Sequence, residues 1–265
     1  MPRVETIQGL QRGLRVLKFL QSQPIASLHE IFIATRISKP SLMRVLNTLE
    51  RESLVSRRLA DGRYRLNALT GVVRKRDRYD RVAEAAAPVL FRLCEKVKWP
   101  SDLLVSAGDY MEGRETSRPL SPFVVRMVQG SIIGARVSWL MTGAGRDYLA
   151  WCPEKERERI LQRLRRSGKP CDRLAHEPKR LQRILEETRR RGYGIRDPGF
   201  VGGRYGDPPQ DDGLAGIAVA LRDGPHVHGA INILWIRTAF TVNEFATRHL
   251  ADLQAAALEI VCALR

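Results

Sequence analysis

The chain has 265 residues, of which 43% are hydrophobic and 28% charged, values typical of a folded protein with one large domain or two smaller ones. This composition excludes a disordered chain, a collagen-like repeat and a small disulfide-stapled scaffold. The 45 Lys and Arg exceed the 29 Asp and Glu, so the formal net charge is +16. Such an excess predicts acidic partners, of which nucleic acid is the commonest.

The basic excess is densest near the N-terminus. Residues 1–80 carry 16 Lys and Arg against seven acidic residues, whereas the other 185 residues carry 29 against 22. No uncharged apolar run reaches the roughly 18–20 residues of a membrane span, and the first residues lack the apolar segment of a secretory signal. We therefore expect a cytoplasmic protein without a membrane partner.

Cysteine and histidine spacing gives no sign of a metal or cofactor. The four cysteines, at positions 94, 152, 171 and 262, lack a C-x-x-C pair and are expected to be buried, reduced thiols. His226 and His228 would share one face of a strand and could touch a common metal, but a solvated turn is the favoured interpretation.

Three helices are predicted in the first 52 residues. Helical spacing of apolar residues over 10–20 predicts the first helix, which Pro24 ends. Ser27 and Glu30 form a capping box for the second helix, which stops near Thr35. Ser38 is a plausible cap for the third helix, residues 39–52. The apolar residues with helical spacing on the first helix are Leu10, Leu14, Val16, Leu17 and Leu20. The residues expected to be buried on the other two helices are Leu28, Ile31, Phe32, Ile33, Leu42, Val45, Leu46 and Leu49.

A hairpin follows the third helix. Residues 54–59 and 62–66 alternate in polarity around Asp61-Gly62, a strong hairpin signal. Two helices joined by a tight turn, with a basic hairpin after them, predict a winged helix-turn-helix. In such a domain Arg44 of the third helix would contact a guanine edge in the major groove, and the hairpin arginines Arg57, Arg58, Arg63 and Arg65 would contact phosphates or the minor groove. A small helical domain with a solvated basic face is the alternative.

These segments resemble the IclR family of transcriptional regulators. The resemblance rests on the stretches 8–17, 38–50 and 61–66, whose order and spacing match most of the family's N-terminal domain. It implies DNA contacts from Arg12 in the first helix and from the third helix at Ser38, Lys39, Ser41, Met43 and Arg44. Two residues depart from the family pattern: Arg36 stands where a turn glycine is usual, and Pro40 replaces a hydroxyl residue.

The remaining chain is predicted to form an α+β domain. A basic run at 74–78 leads into a connecting helix over 82–97, which Pro88 should break or kink. Strands are expected at 103–107, 123–128, 132–138, 216–221 and 229–236. Helices are expected at 142–150, 154–166 and 178–191, the last ended by Gly192, and a final helix starts at Thr241 with Glu244 completing a capping box. The predicted domains are a winged helix-turn-helix (1–70), a linker helix (71–98) and an effector-binding domain (99–265).

The family resemblance extends to the second domain through residues 143–150, 189–194, 216–221 and 229–233. It implies a GAF-like fold that binds a small organic acid. The effector would lie between the sheet and the helix at 142–150, where helix N-terminal amides suit a carboxylate. The candidate effector-binding residues are Arg136, Trp139, Met141, Thr142, Gly143, Ala144, Tyr148, Asp197 and Asn232. Residues 97–102 and 149–157 look most like regulators of hydroxyphenylpropanoate breakdown, which implies an aromatic acid.

The sequence thus predicts a ligand-responsive transcriptional regulator rather than an enzyme. It would bind a pseudo-palindromic DNA operator as a homodimer or tetramer, and would contact RNA polymerase if it is an activator. Two alternatives remain: a small-molecule-processing enzyme anchored to nucleic acid, and a nonspecific nucleic-acid-binding protein. Neither a catalytic set of Ser, His, Asp or Cys nor a Walker motif is recognisable.

Overall fold

The computed structural model describes residues 7–67, 78–123, 132–200, 202–208 and 210–265. The chain divides into two compact units, Met1–Glu84 and Ala85–Arg265. Helix α4, Arg78–Val97, begins in the first unit and ends in the second. It starts before the predicted residue 82 and continues as one helix through Pro88, so the predicted break is wrong.

The N-terminal unit combines three helices with a small antiparallel sheet. Strand β3 lies between β1 and β2 and pairs with both. A third strand, β1, therefore pairs with the predicted hairpin at one edge of this sheet. Sequence analysis missed β1 because a strand of two residues is too short to show alternating polarity. The elements are α1 Gln8–Ser22, β1 Ile25–Ala26, α2 Leu28–Thr35, α3 Lys39–Arg51, β2 Val55–Arg57 and β3 Tyr64–Leu66.

The core of this unit is narrower than helical spacing alone predicts. Val16, Leu20, Ile31, Leu42, Leu46 and Leu49 are buried as expected. Leu10 and Leu14 of α1, in contrast, are 59% and 48% exposed, and Ile33 of α2 is 60% exposed. The apolar stripes of α1 and α2 are therefore wider than the contact that each helix makes with its neighbours, and the predicted burial of Ile33 was wrong.

Helix starts follow the local signals closely. Ser27 accepts a hydrogen bond from the Glu30 amide and Glu30 accepts one from the Ser27 amide, which confirms the capping box of α2. Ser38 makes no such cap and instead donates to Ser41 Oγ at 3.1 Å. Pro40 removes one of the two amides from which a capping side chain can accept, and the other, the Ser41 N–H, does not bond to Ser38 Oγ.

Arg36, the residue in place of the usual turn glycine, has a φ of 53° in the left-handed region. This conformation is strained for a residue with a Cβ. We expect Arg36→Gly to raise the free energy of unfolding of the full chain by about 1 kcal/mol, measured by urea denaturation. Arg36→Ala is the matched control, since it removes the charge but keeps the Cβ. Equal effects of both substitutions would contradict the explanation from backbone strain.

The second unit is built on a six-stranded antiparallel sheet with strand order β6-β5-β4-β9-β8-β7. Alternate residues of β8 and β9 face opposite sides. On one face Ala218, Ala220 and Ala230 pack with helix α5, and on the other Trp235 stacks on Phe245 of helix α8 at 3.8 Å. The elements are β4 Asp102–Ser106, β5 Met111–Thr116, β6 Arg136–Val137, α5 Gly143–Trp151, α6 Glu154–Arg166, α7 Pro178–Arg191, β7 Gly194–Ile195, β8 Leu214–Asp223, β9 His226–Ile236 and α8 Val242–Leu264.

Several strand predictions in this unit need correction. Strand β5 was missed because its sequence lacks apolar alternation, and the strand predicted at 132–138 is limited to Arg136–Val137. Of the strand predicted at 123–128, only Phe123 lies within the described residues, and it forms a bend. The capping box of Thr241 and Glu244 is present, and Gly192 ends α7 in the left-handed conformation as predicted.

The histidine and cysteine predictions were also partly wrong. His226 and His228 lie on β9 rather than in a turn, with ring centroids 4.5 Å apart. Cys94 and Cys152 are buried, but Cys171 is half-buried and Cys262 is exposed. Across the described ranges, no group of three or more His, Cys, Asp or Glu is arranged to hold a metal. No helix in that part of the chain is long and apolar enough to cross a membrane.

Candidate functional site

The N-terminal unit presents the polar side of α3 to solvent. Lys39 and Arg44 are exposed, and Ser41 and Met43 are half-buried beside them. Ser38 is exposed at the start of the helix. An exposed helix face carrying two cations and small polar groups has the width and chemistry to enter a DNA major groove.

The hairpin holds two of its four arginines at the surface and buries the other two. Arg57 Nε donates to the Gly62 carbonyl at 3.1 Å, and Arg63 is half-exposed, 3.7 Å from Glu30. Arg58 and Arg65 are each only 8% exposed. Arg57 and Arg63 are therefore the hairpin arginines with access to a phosphate. Arg12 is half-buried on α1.

The second unit contains a cavity of about 120 Å³ between the sheet and the N-terminal end of α5. An apolar cavity of about 150 Å³ in another protein takes up benzene, so this volume fits a single ring or a short chain. Most of the wall is apolar, with polar groups restricted to a few positions. The lining residues are Asp102, Leu104, Arg118, Ile132, Ala135, Val137, Thr142, Gly143, Ala144, Arg196, Phe200, Gly203, Arg204, Asp212, Leu214, Gly216, Ile217, Ala218, Asn232 and Leu234.

The start of α5 forms one wall of the cavity. Thr142 caps the helix by accepting a hydrogen bond from the Gly145 amide at 3.1 Å. Gly143 and Ala144 follow it, and the N–H groups of a helix's first turn have no partner within the helix. A Cβ on Gly143 would lie 2.8 Å from the Gly194 carbonyl oxygen, so glycine permits the close approach of α5 to β7. These amides suit an anionic group.

Two Asp–Arg pairs supply the charged part of the lining. Asp102, 1% exposed, accepts from Arg118 Nε and Nη2 at 2.9 and 2.7 Å. Burial acts to lower the pKa of Arg118, but the charge and hydrogen bonds of Asp102 raise it overall. Arg196 Nη2 lies 2.9 Å from both carboxylate oxygens of Asp212.

Sequence analysis missed these four charged residues. Arg196 is the one that a local signal could have identified: it follows β7 by one residue and shares the strand face of Gly194, whereas Asp197 points the other way. Asn232 lies in the lining as predicted, but its side-chain oxygen accepts from the Asp102 amide at 2.8 Å. Its hydrogen bonding is therefore directed to Asp102.

The two aromatic residues among the predicted effector-binding residues lie outside the cavity lining. Trp139 is fully buried and donates from Nε1 to the Gly108 carbonyl at 3.1 Å. The Tyr148 hydroxyl donates to Glu156 at 2.6 Å, and the two rings pack edge to face. Both belong to the core beneath α5, because the side of the helix that carries Tyr148 faces away from the cavity.

The other predicted residues outside the lining have different partners. Arg136 is exposed, with its guanidinium 4.8 Å from the Tyr110 ring centroid. Asp197 forms an ion pair with the buried Arg146, and the Met141 carbonyl accepts from the Asp197 amide. Thr142, Gly143, Ala144 and Asn232 are thus the predicted residues that the structure brings together around the cavity.

Two protein-family models match this chain, one in each of its two units. The IclR helix-turn-helix domain model matches residues 9–59, and the model of the C-terminal region of the bacterial transcriptional regulator IclR matches residues 79–262. Similar solved structures include an IclR-family regulator from Brucella abortus, with a TM-score of 0.53 and 20% identity over 98% of this chain and 94% of that one.

Two further structures share the fold. The IclR protein of Thermotoga maritima has a TM-score of 0.53 and 21% identity, covering 98% of this chain and 99% of that one. An IclR homolog from Microbacterium hydrocarbonoxydans, solved in complex with 4-hydroxybenzoate, has a TM-score of 0.53 and 20% identity, covering 97% of this chain and 99% of that one. The family model that spans residues 79–262 covers more than half of the sequence. The chain therefore belongs to the IclR family of bacterial transcriptional regulators.

Proposed function

We propose that this regulator controls genes for the catabolism of a small organic acid, in particular an aromatic acid, and that the acid binds in the cavity beside α5. The observation that carries the proposal is that one chain combines the exposed polar face of α3 with a small cavity bounded by helix N-terminal amides. As a member of a family of transcription regulators, the chain is not an enzyme, which sets aside the enzymatic alternative.

On the DNA side, α3 would enter the major groove with Lys39, Ser41, Met43 and Arg44 towards the bases. Arg57, Arg63, Arg12 and Ser38 would contact the phosphates. A pseudo-palindromic operator requires at least two copies. The exposed apolar side chains of Leu10 and Leu14 on α1, and of Ile7 just before it, support association into a homodimer or tetramer. RNA polymerase is a further partner if the protein activates transcription.

On the effector side, the carboxylate of the acid would accept hydrogen bonds from the amides of Gly143 and Ala144. The cavity volume of about 120 Å³ restricts the effector to one ring or a few carbons. The similar Microbacterium protein bound to 4-hydroxybenzoate supports an aromatic acid. Binding would shift the equilibrium between forms with high and low operator affinity.

Fluorescence anisotropy tests this proposal directly. The full chain is titrated onto the DNA flanking its own gene and onto a scrambled duplex in about 150 mM salt, with and without a panel of phenolic acids. We expect the native duplex to bind at least about 10³-fold more tightly, and one acid to change that affinity. Equal binding to both duplexes with no response to any acid would indicate a nonspecific nucleic-acid-binding protein.

Arg44→Ala is expected to reduce affinity for the native duplex by about 10- to 100-fold, because a bidentate contact to guanine is worth about 1–3 kcal/mol. Affinity for the scrambled duplex should change much less. Arg159→Ala, which removes another exposed arginine, on α6, serves as the matched control. Equal losses on both duplexes would show that Arg44 contributes only its charge.

A further inference from the structure

Within the described part of the chain, Arg196 carries a buried donor without a hydrogen-bond partner at the cavity wall. Its side chain is 9% exposed, and its Nη2 is shared between the two oxygens of Asp212. Its Nε is buried and, among the residues that the structure describes, has no hydrogen-bond partner. A buried guanidinium N–H without an acceptor is costly, so this atom favours a ligand oxygen at that point.

The buried charges of the cavity lining are already matched. Arg118 pairs with Asp102 and Arg196 pairs with Asp212, whereas Arg204 is exposed to solvent. The rest of the lining is apolar or uncharged, so a second negative charge on a ligand would enter a poorly solvated space that already holds two carboxylates.

We propose that the cavity selects acids with a single negative charge, that Arg196 Nε binds the ligand carboxylate, and that Asp212 is the residue that excludes doubly charged acids. The inference rests on the proposed function, in which this cavity is the effector site. Asp102 is less suited to this role because its carboxylate is saturated by Arg118 and by the Thr116 hydroxyl at 2.7 Å. Asp212 accepts, besides the Arg196 contacts, from the Leu214 amide at 3.0 Å.

Asp212→Asn tests whether the charge of Asp212 excludes doubly charged acids, while it preserves the local fold. The asparagine oxygen still accepts from the Leu214 amide, but the negative charge opposite Arg196 is removed. Asp211→Asn is the matched control, since Asp211 pairs with Arg237 at 2.6 Å and lies outside the cavity lining. Comparing the two substitutions therefore distinguishes the effect of a charge at the cavity from the effect of a charge elsewhere on the surface.

Isothermal titration of the full chain at neutral pH compares two pairs of probes: 4-hydroxybenzoate with terephthalate, and butyrate with succinate. For the unmodified protein we expect the monoacid of each pair to bind at least about tenfold more tightly than the diacid. Asp212→Asn should reduce that ratio by about tenfold or more, and Asp211→Asn should leave it unchanged. Arg196→Gln should lose affinity for the monoacids while retaining binding of the neutral 4-hydroxybenzamide.

Three outcomes would overturn the inference. The acids could bind, but with the unmodified protein preferring the diacids, or with Asp212→Asn leaving the ratio of monoacid to diacid affinity unchanged. Either result would show that charge selection is wrong, while the proposed effector site would stand. If none of the acids binds the unmodified protein or either variant at millimolar concentration, the proposed effector site fails as well. Circular dichroism checks the fold of Arg196→Gln, and the comparison of Asp212→Asn with Asp211→Asn does not depend on that variant.

Discussion

Replacing Asp147 with asparagine is expected to stabilise the protein above pH 7 by a few kcal/mol. Asp147 lies on α5, 1% exposed, and its Oδ2 accepts from the Ala220 amide at 2.7 Å. Its Oδ1 has no hydrogen-bond partner within the described ranges. Burial raises the pKa of this carboxyl to about 7, against the opposing effects of the Ala220 amide, Arg222, Trp151 and Arg191.

The direction of the pH dependence follows from the raised pKa. Between about pH 4 and 7 the folded state holds the proton more tightly than the unfolded state, so the free energy of unfolding falls as the pH rises through this range. A shift of about 3 pKa units corresponds to about 4 kcal/mol. Asparagine keeps an oxygen for the Ala220 amide but carries no charge. The free energy of unfolding of the variant should therefore fall much less than that of the unmodified protein as the pH rises through this range.

Urea denaturation of the full chain at several pH values between 4 and 8 measures the effect. Asp109→Asn is the control, because Asp109 is half-exposed and lies 3.5 Å from Arg163 at the surface. Its effect should stay within about 0.5 kcal/mol. Parallel pH profiles for the unmodified protein and Asp147→Asn would show that the buried carboxyl does not govern stability in this range.

Gly145→Ala is expected to destabilise the second unit by more than about 3 kcal/mol. A Cβ at this position would lie 2.1 Å from the Trp139 carbonyl oxygen and 2.6 Å from the Trp139 Cα. Both are backbone atoms of a segment that the buried Trp139 side chain holds in place. Moving either this segment or α5 to make room for the Cβ would therefore disrupt packing. Displacing α5 would also disturb the Thr142 cap and the amides at the cavity.

Thermal unfolding followed by circular dichroism is the measurement, with ligand titration as a second readout. Gly13→Ala in α1 is the control, because its Cβ would meet no atom within 4 Å. Alanine also favours a helix, so this substitution should be neutral or stabilising by up to about 1 kcal/mol. An unchanged melting temperature for Gly145→Ala would contradict the close approach of α5 to Trp139.

Effector control of transcription requires that the cavity be coupled to operator affinity. The segment between β7 and β8 contributes Phe200, Gly203 and Arg204 to the lining, and the Tyr205 hydroxyl donates to Asp172 at 2.6 Å. A ligand that contacts Arg196 therefore touches a loop anchored at several points in the effector domain. The free energy available for coupling equals the difference in ligand affinity between the two forms of the protein.

The sequence by itself determined the local elements of this protein. The capping boxes at Ser27 and Thr241, the glycine end of α7 at Gly192 and the order of helices around the turn are set by interactions within a few residues, which a linear pattern contains. The place of the α5 amides in the cavity was implied by the family resemblance, which rests on other short stretches of the sequence, 143–150 among them.

Only the tertiary structure decided which side chains share the cavity. Asp102, Arg118, Arg196 and Asp212 come from two distant parts of the chain, 102–118 and 196–212, and the sheet order β4-β9-β8-β7 brings them together. Trp139 and Tyr148 are close to Thr142 in sequence but face the core. Tyr148 lies on a different side of α5 from the cavity, and the Trp139 indole, which precedes the helix, donates to the Gly108 carbonyl. Local periodicity predicts which face of an element is apolar, whereas packing between elements determines whether that face meets a cavity, the core or solvent.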